Sequence, residues 1–254
     1  MLHHHISPGS LACREKTSEI RLQTFVGTSG YSYKEWKGSF YPEKIAANKM
    51  LNYYGQQFNG VEINNTFYRM PSERVLSNWY DEVPEGFCFV LKASRKITHF
   101  KRLKPESEDE LRYLLKTASV LRDKLGPTLF QLPPNLKKDL DRLQAFLAFL
   151  PNRWQAAFEF RHDSWFDDDV YDALRAVNAA LVLAETDDGS VPRVATADWG
   201  YLRLRKLDYT EPEIVDWVEW MAAQAWTDGF VFFKHEDTGG GPELAGRFKE
   251  VLER

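Results

Sequence analysis

Short apolar runs that alternate with amphipathic helical patterns constrain the fold of this chain more than any other feature of its sequence. Eight such runs predict strands, and they span Thr24–Thr28, Gly60–Ile63, Phe87–Lys92, Thr128–Leu132, Ala156–Phe160, Ala180–Glu185, Tyr201–Leu204 and Phe230–Phe233. Apolar strands that alternate with helices are typical of a parallel sheet covered on both faces. The chain is therefore predicted to be an α/β protein with a parallel sheet.

Helical patterns lie between most of these strands, at Lys44–Gln57, Ser72–Asp81, Glu106–Lys124, Lys138–Leu150, Asp167–Val177 and Glu211–Trp226, and Pro242–Leu252 closes the chain. The stretch TDDGSVPRVATADWG, between the sixth and seventh strands, predicts a loop with a short or missing helix. Eight repeats in 254 residues match a single (β/α)8 barrel of the TIM type, which typically has about 250 residues. A doubly wound open sheet is the alternative, but no G-x-G-x-x-G follows a predicted strand.

Residues 1–20 predict a disordered extension, and residues 21–254 predict one barrel domain. The extension contains three consecutive histidines, His3 to His5, which resemble a short tag or a translated leader. Cys13 and Cys88 are the only cysteines, so no disulfide framework is predicted and a cytoplasmic location is expected. No apolar stretch reaches the roughly 20 residues that span a bilayer, so no membrane partner is expected. The formal net charge of −4 argues against a generic nucleic-acid coat.

Polar side chains recur at the last inward-facing positions of the predicted strands. Alternate residues of a barrel strand point inward, and the active sites of TIM barrels lie at the C-terminal ends of the strands. The alternation of side chains along each strand, together with the predicted strand ends, places eight polar side chains at the C-terminal end of the barrel. They are Glu62, Asn64, Lys92, Gln131, Glu159, Arg161, Arg203 and Arg205. They are therefore expected to converge on one polar cleft, with the charges of the stretch EFRH at its solvated rim. A shift of register by one residue would reverse the prediction for a strand.

Glu62, Glu159 and Arg161 are the candidate catalytic residues. Two inward carboxylates can transfer protons, with pKa values set by burial and by the neighbouring arginines. They can equally form a structural ion-pair network with Arg161 and Arg203, and the sequence leaves both interpretations open. Glycoside hydrolysis is disfavoured, because the arginines would keep both carboxylates ionised and leave no obvious acid.

Cationic residues at the same strand ends predict an anion-binding site, because arginine suits bidentate contacts with phosphate or carboxylate groups. The candidate substrate-binding residues are Asn64, Lys92, Gln131, His162, Arg203 and Arg205, with Trp36 and Tyr68 as aromatic groups that stack on a base or sugar. Gly239, Gly240 and Gly241 form a second, phosphate-binding candidate. They precede Pro242 at a predicted first helical position, and the N–H groups of such a helix start bind phosphate.

Oxygen and nitrogen donors also stand at or after strand ends: Glu159, Glu185, His162 and His235. Metal-dependent barrel isomerases and nucleases use such donors. No tight signature such as H-E-x-x-H occurs, so a divalent metal is not favoured and the cofactor stays unassigned.

Four motifs, in order along the chain, resemble the YecE-like family. They are GTSGYSYKEWKGSFYP (Gly27–Pro42), VEINNTFYRMP (Val61–Pro71), FQLPPNL (Phe130–Leu136) and EFRHDSW (Glu159–Trp165). The resemblance covers nearly everything after about residue 22. It implies a TIM-type barrel, and it implies no reaction because the family is catalogued as a domain of unknown function.

Two stretches depart from the usual pattern of that family. The seventh strand commonly reads Arg-Leu-His-Gly, whereas RLRK here puts Arg205 at the His position. The eighth strand commonly leads into an Asn-rich turn, whereas FFKHED intervenes here. Both departures make the predicted mouth of the barrel more charged.

The sequence thus predicts an enzyme that acts on a phosphorylated or otherwise anionic small molecule at the C-terminal mouth of the barrel, with the reaction open between a hydrolase and an isomerase. One alternative is a single-stranded nucleic-acid binding module that uses the same arginine and aromatic residues. Another is a metal-dependent isomerase-like or nuclease-like barrel. A third is a structural or regulatory barrel whose mouth binds a protein partner.

Overall fold

Eight parallel strands close into a barrel in the computed structural model, which describes residues 22–234 and 240–254. The strands are β1 (Gln23–Ser29), β2 (Gly60–Ile63), β3 (Cys88–Lys92), β4 (Leu125–Gln131), β5 (Ala156–Glu159), β6 (Ala180–Thr186), the two-residue β7 (Gly189–Ser190), β8 (Trp199–Leu204) and β9 (Asp228–Phe233). Neighbours pair in chain order, β7 aside, and β9 pairs with β1. The β5–β6 pairing leaves no open edge in the barrel, so the TIM-type prediction is confirmed and the open sheet is excluded.

Seven α-helices lie outside the barrel within the described residues: α1 (Met50–Gln57), α2 (Glu73–Glu82), α3 (Glu108–Ala118), α4 (Leu140–Leu147), α5 (Asp168–Arg175), α6 (Glu211–Ala222) and α7 (Gly240–Leu252). Two predicted patterns are only partly α-helical, because 3-10 turns form at 47–49 before α1 and at 119–124 after α3. Arg122 has a φ of 49° and breaks the second pattern. None of the helices in the described ranges is long and apolar enough to cross a membrane.

The connection between β6 and β8 contains no helix, as the sequence predicts. The chain instead turns back after β6, and the short strand β7 pairs antiparallel with the end of β6 through Thr186 and Gly189. Gly189 has a φ of 139°, a backbone conformation that side-chain-bearing residues rarely adopt. This hairpin stands beside the mouth of the barrel, where it forms one wall of the candidate site described below.

Apolar residues fill two separate layers, one inside the barrel and one between the barrel and the helices. Inside, Val90, Leu129 and Phe232 pack with inward residues of the other strands. Outside, residues such as Leu91 and Val231 pack against the helices. Both faces of each strand are therefore apolar over most of its length, which explains why the strands read as continuous apolar runs. The fully buried charged side chains inside the barrel, Glu62, Glu159 and Arg203, lie towards the C-terminal strand ends.

Close approach of β1 and β2 requires glycine at position 27. Gly27 is the backbone partner of Gly60 across the two strands. A Cβ atom at Gly27 would overlap the carbonyl oxygen of Gly60 and would lie 2.5 Å from Tyr54 Oη. Tyr54 Oη cannot move away easily, since it accepts from Thr28 N at 2.7 Å and donates to Gly60 O at 3.1 Å.

Gly27→Ala is expected to lower the free energy of unfolding by about 2 kcal/mol or more, because the added methyl group forces two backbones apart. Gly246→Ala in α7 is the matched control. A Cβ atom there meets nothing within 4 Å, and alanine favours a helix by about 1 kcal/mol over glycine. Urea unfolding of the two variants measures the difference, and equal stabilities would contradict the close approach.

Candidate functional site

Arg203 lies at the centre of a buried ion-pair network at the C-terminal ends of the strands. Its Nη2 donates to Glu62 Oε1 at 2.6 Å, and its Nη1 donates to Glu159 Oε2. The other oxygen of Glu62 accepts from the Tyr201 hydroxyl at 2.6 Å. The side chains of Arg203, Glu62 and Glu159 are 2%, 0% and 1% exposed. The network therefore joins β2, β5 and β8 inside the barrel.

The alternation of side chains along β8 produces this arrangement. Tyr201 and Arg203 point into the barrel, whereas Leu202 and Leu204 belong to the apolar layer beneath the helices. Glu159 follows Ala157 on the inward face of β5 in the same way. Period two along the sequence places Glu62, Glu159 and Arg203 inward, and the hydrogen bonds show that all three meet.

The network holds both carboxylates in the ionised form. Burial by itself raises the pKa of Glu62, but the Arg203 guanidinium and the hydrogen bonds from Arg203 and Tyr201 outweigh burial and keep the pKa below its usual value. Burial likewise opposes ionisation of Glu159, and the positive charges of Arg203, Arg205 and Arg161 hold its pKa well below the usual range. Neither carboxylate therefore carries a proton to donate near neutral pH.

Two further arginines surround the remaining oxygen of Glu159. Arg161 Nε and Arg205 Nη2 each donate to Glu159 Oε1 at 3.1 Å. All three residues line a recess of about 560 Å3, with the β6–β7 hairpin on another side. Arg161 is 38% exposed, so it reaches solvent as the sequence predicts. The expectation that Glu159 itself lies at a solvated rim is wrong, because its side chain is held inside the barrel by Arg203.

Lys92 and Gln131 meet on a neighbouring part of the mouth. Lys92 Nζ donates to Gln131 Oε1 at 2.8 Å and lies 4.3 Å from the centre of the Phe67 ring. Burial, together with the positive charge of Arg203, lowers the pKa of Lys92 to about 8. The predicted inward direction of both side chains agrees with this contact.

The aromatic and capping residues that the sequence nominates for substrate binding do not all lie at this cluster. Trp36 is fully buried and packs on Tyr33 and Tyr41 in the outer apolar layer, so its prediction as a stacking residue is wrong. His162 caps a 3-10 turn, since its Nδ1 accepts from Ser164 N at 3.2 Å. This hydrogen bond satisfies the backbone N–H group of Ser164, so no ligand is needed to explain the position of His162.

Two other candidates line separate recesses. Tyr68 is 67% exposed and lines a groove of about 640 Å3 beside Met70 and Tyr113. Asn64 lines a smaller recess of about 170 Å3 with Tyr31 and Trp79. Neither lines the recess of about 560 Å3 at Arg161 and Arg205.

The glycine-rich turn is only partly within the described residues, because Gly239 and His235 fall outside them. Gly240 and Gly241 already belong to α7, so the helix begins before Pro242 and the prediction of Pro242 as its first residue is wrong. Proline is tolerated throughout a first helical turn, where its missing N–H would have no partner within the helix. Phosphate binding at this turn stays a prediction.

The metal-ligand candidates within the described residues do not form one site. Glu185 points outward and accepts from Trp217 Nε1 of α6 at 3.0 Å, and His162 serves as the cap described above. Across residues 22–234 and 240–254, no group of three or more His, Cys, Asp or Glu side chains is arranged to hold a metal ion.

Two residues of the mouth were missed by sequence reasoning. Tyr201 shares the inward face of Arg203 in YLRLRK, so period two could have found it. His99 lies in a π-helical turn, Lys96–Phe100, and its ring contacts that of Phe67. Burial, with the charges of Lys92 and other nearby cations, lowers the pKa of His99. No sequence signal indicates a π-helical turn there, although such turns are frequent at functional sites.

The chain matches the profile of a known protein family. The profile described as "Protein of unknown function DUF72" matches residues 25–254. The chain belongs to the DUF72 family. The four motifs that resemble the YecE-like family begin in β1, β2, β4 and β5 and continue over the mouth of the barrel, and the recognition made from them is confirmed.

Relatives of this DUF72 protein match either most of its length or about half of it. It is 25% identical to the UPF0759 protein YunF of Bacillus subtilis, over 90% of this chain and 94% of YunF. A shorter match to the UPF0759 protein YecE of Escherichia coli is 31% identical over 46% of this chain and 43% of YecE. The crystal structure of a DUF72 family protein from Thermotoga maritima superposes with a TM-score of 0.77 at 26% identity, covering 91% of this chain and all of that one.

Glu159→Gln is expected to lower the free energy of unfolding by about 3–5 kcal/mol, because it removes a buried charge that neutralises Arg203. The control is Glu108→Gln, whose partner Arg112 lies 2.6 Å away on the exposed face of α3. Exposed pairs contribute about 1 kcal/mol or less, so this variant should unfold almost as the parent does. Chemical denaturation measures both, and similar losses would contradict a stabilising role of the network.

The same variant should also flatten the acid limb of the stability profile. Folding lowers the pKa values of Glu62 and Glu159, so their contribution is complete above the unfolded glutamate pKa of about 4.3 and is lost as the pH falls through the folded values. Unfolding free energies measured downward from pH 5 should fall more steeply for the parent than for Glu159→Gln. Equal slopes would mean that Glu159 is not linked to folding.

Proposed function

We propose that this DUF72 protein is an enzyme that acts on a phosphorylated or otherwise anionic small molecule, bound in the recess beside Arg161 and Arg205. The observation that carries the proposal is the sharing of one carboxylate oxygen, Glu159 Oε1, by these two guanidinium groups. Each guanidinium has five N–H groups, so one oxygen uses only a small part of their capacity. An anion in the recess would use the remainder.

The inner part of the mouth carries more positive than negative charge. Arg161, Arg203, Arg205 and Lys92 surround the two carboxylates of the network, and Arg203 already pairs with both. Arg205 Nε is buried and has no hydrogen-bond partner among the described residues. Burial lowers the pKa of Arg205 against the opposing attraction of Glu159, an unfavourable environment for a cation that a bound anion would relieve.

The recess has the size and composition of a small-molecule site. Its volume of about 560 Å3 lies within the usual range of ligand pockets, roughly 300–1,000 Å3. Thr186 and Ser190 of the β6–β7 hairpin supply hydroxyl groups to its lining, and the partly buried Phe166 is among its apolar lining residues. Asp163 and Asp188 are exposed at its outer edge, so the positive charge is concentrated at the inner end.

The residues of the site divide into positioning groups and groups that can transfer protons. Glu62 and Glu159 stay ionised and hold Arg203, Arg205 and Arg161 in place, so they position the binding groups. Glu159 also lines the recess, but both of its oxygens accept from arginines and its lowered pKa makes it a weak proton acceptor. This distribution disfavours glycoside hydrolysis, which needs a protonated carboxylic acid, and leaves Lys92, with a pKa of about 8, as the group suited to proton transfer.

Inorganic phosphate is expected to bind the parent protein at low ionic strength and to bind Arg161→Ala at least tenfold more weakly, a loss of about 1.4 kcal/mol. Arg161 is the suitable position because it is partly exposed and leaves Glu159 paired with Arg203 and Arg205. Arg112→Ala, which removes an equally charged but 74% exposed side chain from α3, is the matched control and should bind as the parent does. Isothermal titration calorimetry measures all three, and equal affinities for both variants would count against the recess.

Single-stranded nucleic acid is a second candidate ligand, favoured by an exposed aromatic group near the mouth. Tyr68 and Phe100 are 67% and 65% exposed, and the Arg95 guanidinium lies 5.4 Å and 5.3 Å from their ring centres. Rings and arginines of this kind stack on bases.

The salt dependence of binding separates the two ligands. An oligonucleotide that contacts several phosphates should lose affinity steeply with salt, with a slope of about −0.7 per contacted phosphate in a plot of log K against log salt. If the site is a small-molecule recess, a 12-mer oligothymidine should show no saturable binding, and Tyr68→Ala should leave phosphate affinity unchanged. Saturable binding of the oligonucleotide that Tyr68→Ala abolishes would favour the second candidate.

A further inference from the structure

Lys92 differs from the other cations of the mouth in its partners. Each of the three arginines forms an ion pair with Glu159, whereas Lys92 forms no ion pair with any carboxylate of the described chain. Its Nζ donates instead to a neutral amide oxygen, Gln131 Oε1. The amine is therefore held in place without being neutralised.

Lys124 is a second buried lysine, and its contacts indicate a purely structural role. Lys124 Nζ donates to two backbone carbonyls at the end of α2, Tyr80 O at 2.6 Å and Val83 O at 2.8 Å. Those carbonyls lack partners within the helix, so Lys124 has an evident role as a helix cap. Lys92 satisfies no helix end, and it lies at the strand end where TIM barrels place their reactive groups.

The surroundings of Lys92 favour the neutral amine. The Phe67 ring covers one side of the amine. The cations Arg203 and Arg161 oppose a positive charge on Lys92, whereas the carboxylates of Glu62 and Glu159 favour one. Burial and Arg203 prevail, so the pKa falls to about 8. Desolvation and adjacent positive charge are the two conditions that activate a lysine as a nucleophile.

His99 is the other titratable group beside this amine. It lies in the π-helical turn that follows β3, and its ring contacts the Phe67 ring. Its own pKa is lowered by burial and then by Lys92, so it is mostly neutral at the pH at which Lys92 loses its proton. It therefore adds no positive charge that would change the balance around Lys92 near pH 8.

We propose that Lys92 is the nucleophile of this site and forms an imine with a carbonyl carbon of the anionic substrate. The proposal rests on the proposed function, and it narrows the substrate class to phosphorylated or carboxylated aldehydes and ketones. Arg161 and Arg205 would hold the anionic group, and Lys92 would meet the carbonyl group from the adjoining part of the mouth.

The step balances without an oxidant or a further reactant. The neutral amine of Lys92 adds its lone pair to the carbonyl carbon, and the carbonyl oxygen takes up a proton to give a carbinolamine. The C–O bond then breaks, and the oxygen leaves as one molecule of water that carries both amine hydrogens. The product is a C=N bond that withdraws electrons from the adjacent carbon, which makes proton abstraction there easier.

Pyridoxal 5′-phosphate, a phosphorylated aldehyde, is a direct probe of this chemistry. At pH 8 and limiting reagent, borohydride reduction followed by peptide mass spectrometry should place the added mass on Lys92 in preference to exposed lysines such as Lys44 and Lys116. An amine of pKa about 8 is half neutral at that pH, whereas an ordinary lysine is less than about 1% neutral, so the preference should be on the order of 100-fold. Inorganic phosphate should protect Lys92.

Lys92→Arg separates this inference from the proposed function, because arginine keeps the charge but does not form the imine. The variant should bind phosphate within about threefold of the parent and lose the label, and Lys116→Arg should retain both. Labelling spread over exposed lysines, with phosphate binding intact, would overturn the inference alone. Failure of the parent to bind phosphate would overturn the proposed function.

Should Lys92→Arg fail to fold, the parent protein still tests the inference. The rate of labelling at Lys92 should rise with pH and reach half of its maximum near pH 8, because the reactive form is the neutral amine. A rate that continues to rise to pH 10 in parallel with exposed lysines would contradict it. Labelling of Lys92 that phosphate does not reduce would contradict an anionic substrate.

Discussion

The pairing of one buried arginine with two buried glutamates is the interaction on which the mouth of this barrel depends. Arg203 reaches Glu62 and Glu159 from a third strand, so the network joins residues that are 141 and 44 positions apart in the chain. Removing such charges from water costs several kcal/mol for each ion, and only close pairing with full hydrogen bonding offsets that cost. The position of each of the three side chains is therefore constrained by the other two.

The rest of the site is built outward from this network. Below it, apolar side chains such as Leu129 and Phe230 fill the barrel and exclude water from the buried charges. Above it, Glu159 offers its second oxygen to Arg161 and Arg205, which extend towards solvent. The site thus passes from an apolar interior through the network of Arg203, Glu62 and Glu159 to an excess of positive charge. This gradient is the physical basis of the proposed anion binding at the mouth.

The connection after β6 contributes to the site because it lacks a helix. A helix there would pack on the outside of the barrel, as the other helices do, whereas the short β6–β7 hairpin stands beside the mouth and walls the recess with Thr186 and Ser190. Arg205, at the position where the YecE-like pattern commonly has histidine, faces the same recess. One of the two departures from that pattern, Arg205, therefore lies within the proposed binding site.

The sequence by itself determined the barrel and the identity of its inward charges. Alternation of strands and helices predicted the closed (β/α)8 fold, and period two placed Glu62, Glu159 and Arg203 inward, because both depend only on local periodicity. Tertiary structure alone decided which of these groups meet, since contacts across 141 residues depend on barrel closure and strand register. The tertiary structure also buries Glu159, places Trp36 in the outer apolar layer and leaves Lys92 without a carboxylate partner. Each of these outcomes is set by neighbours from other strands, and no local pattern in the chain encodes them.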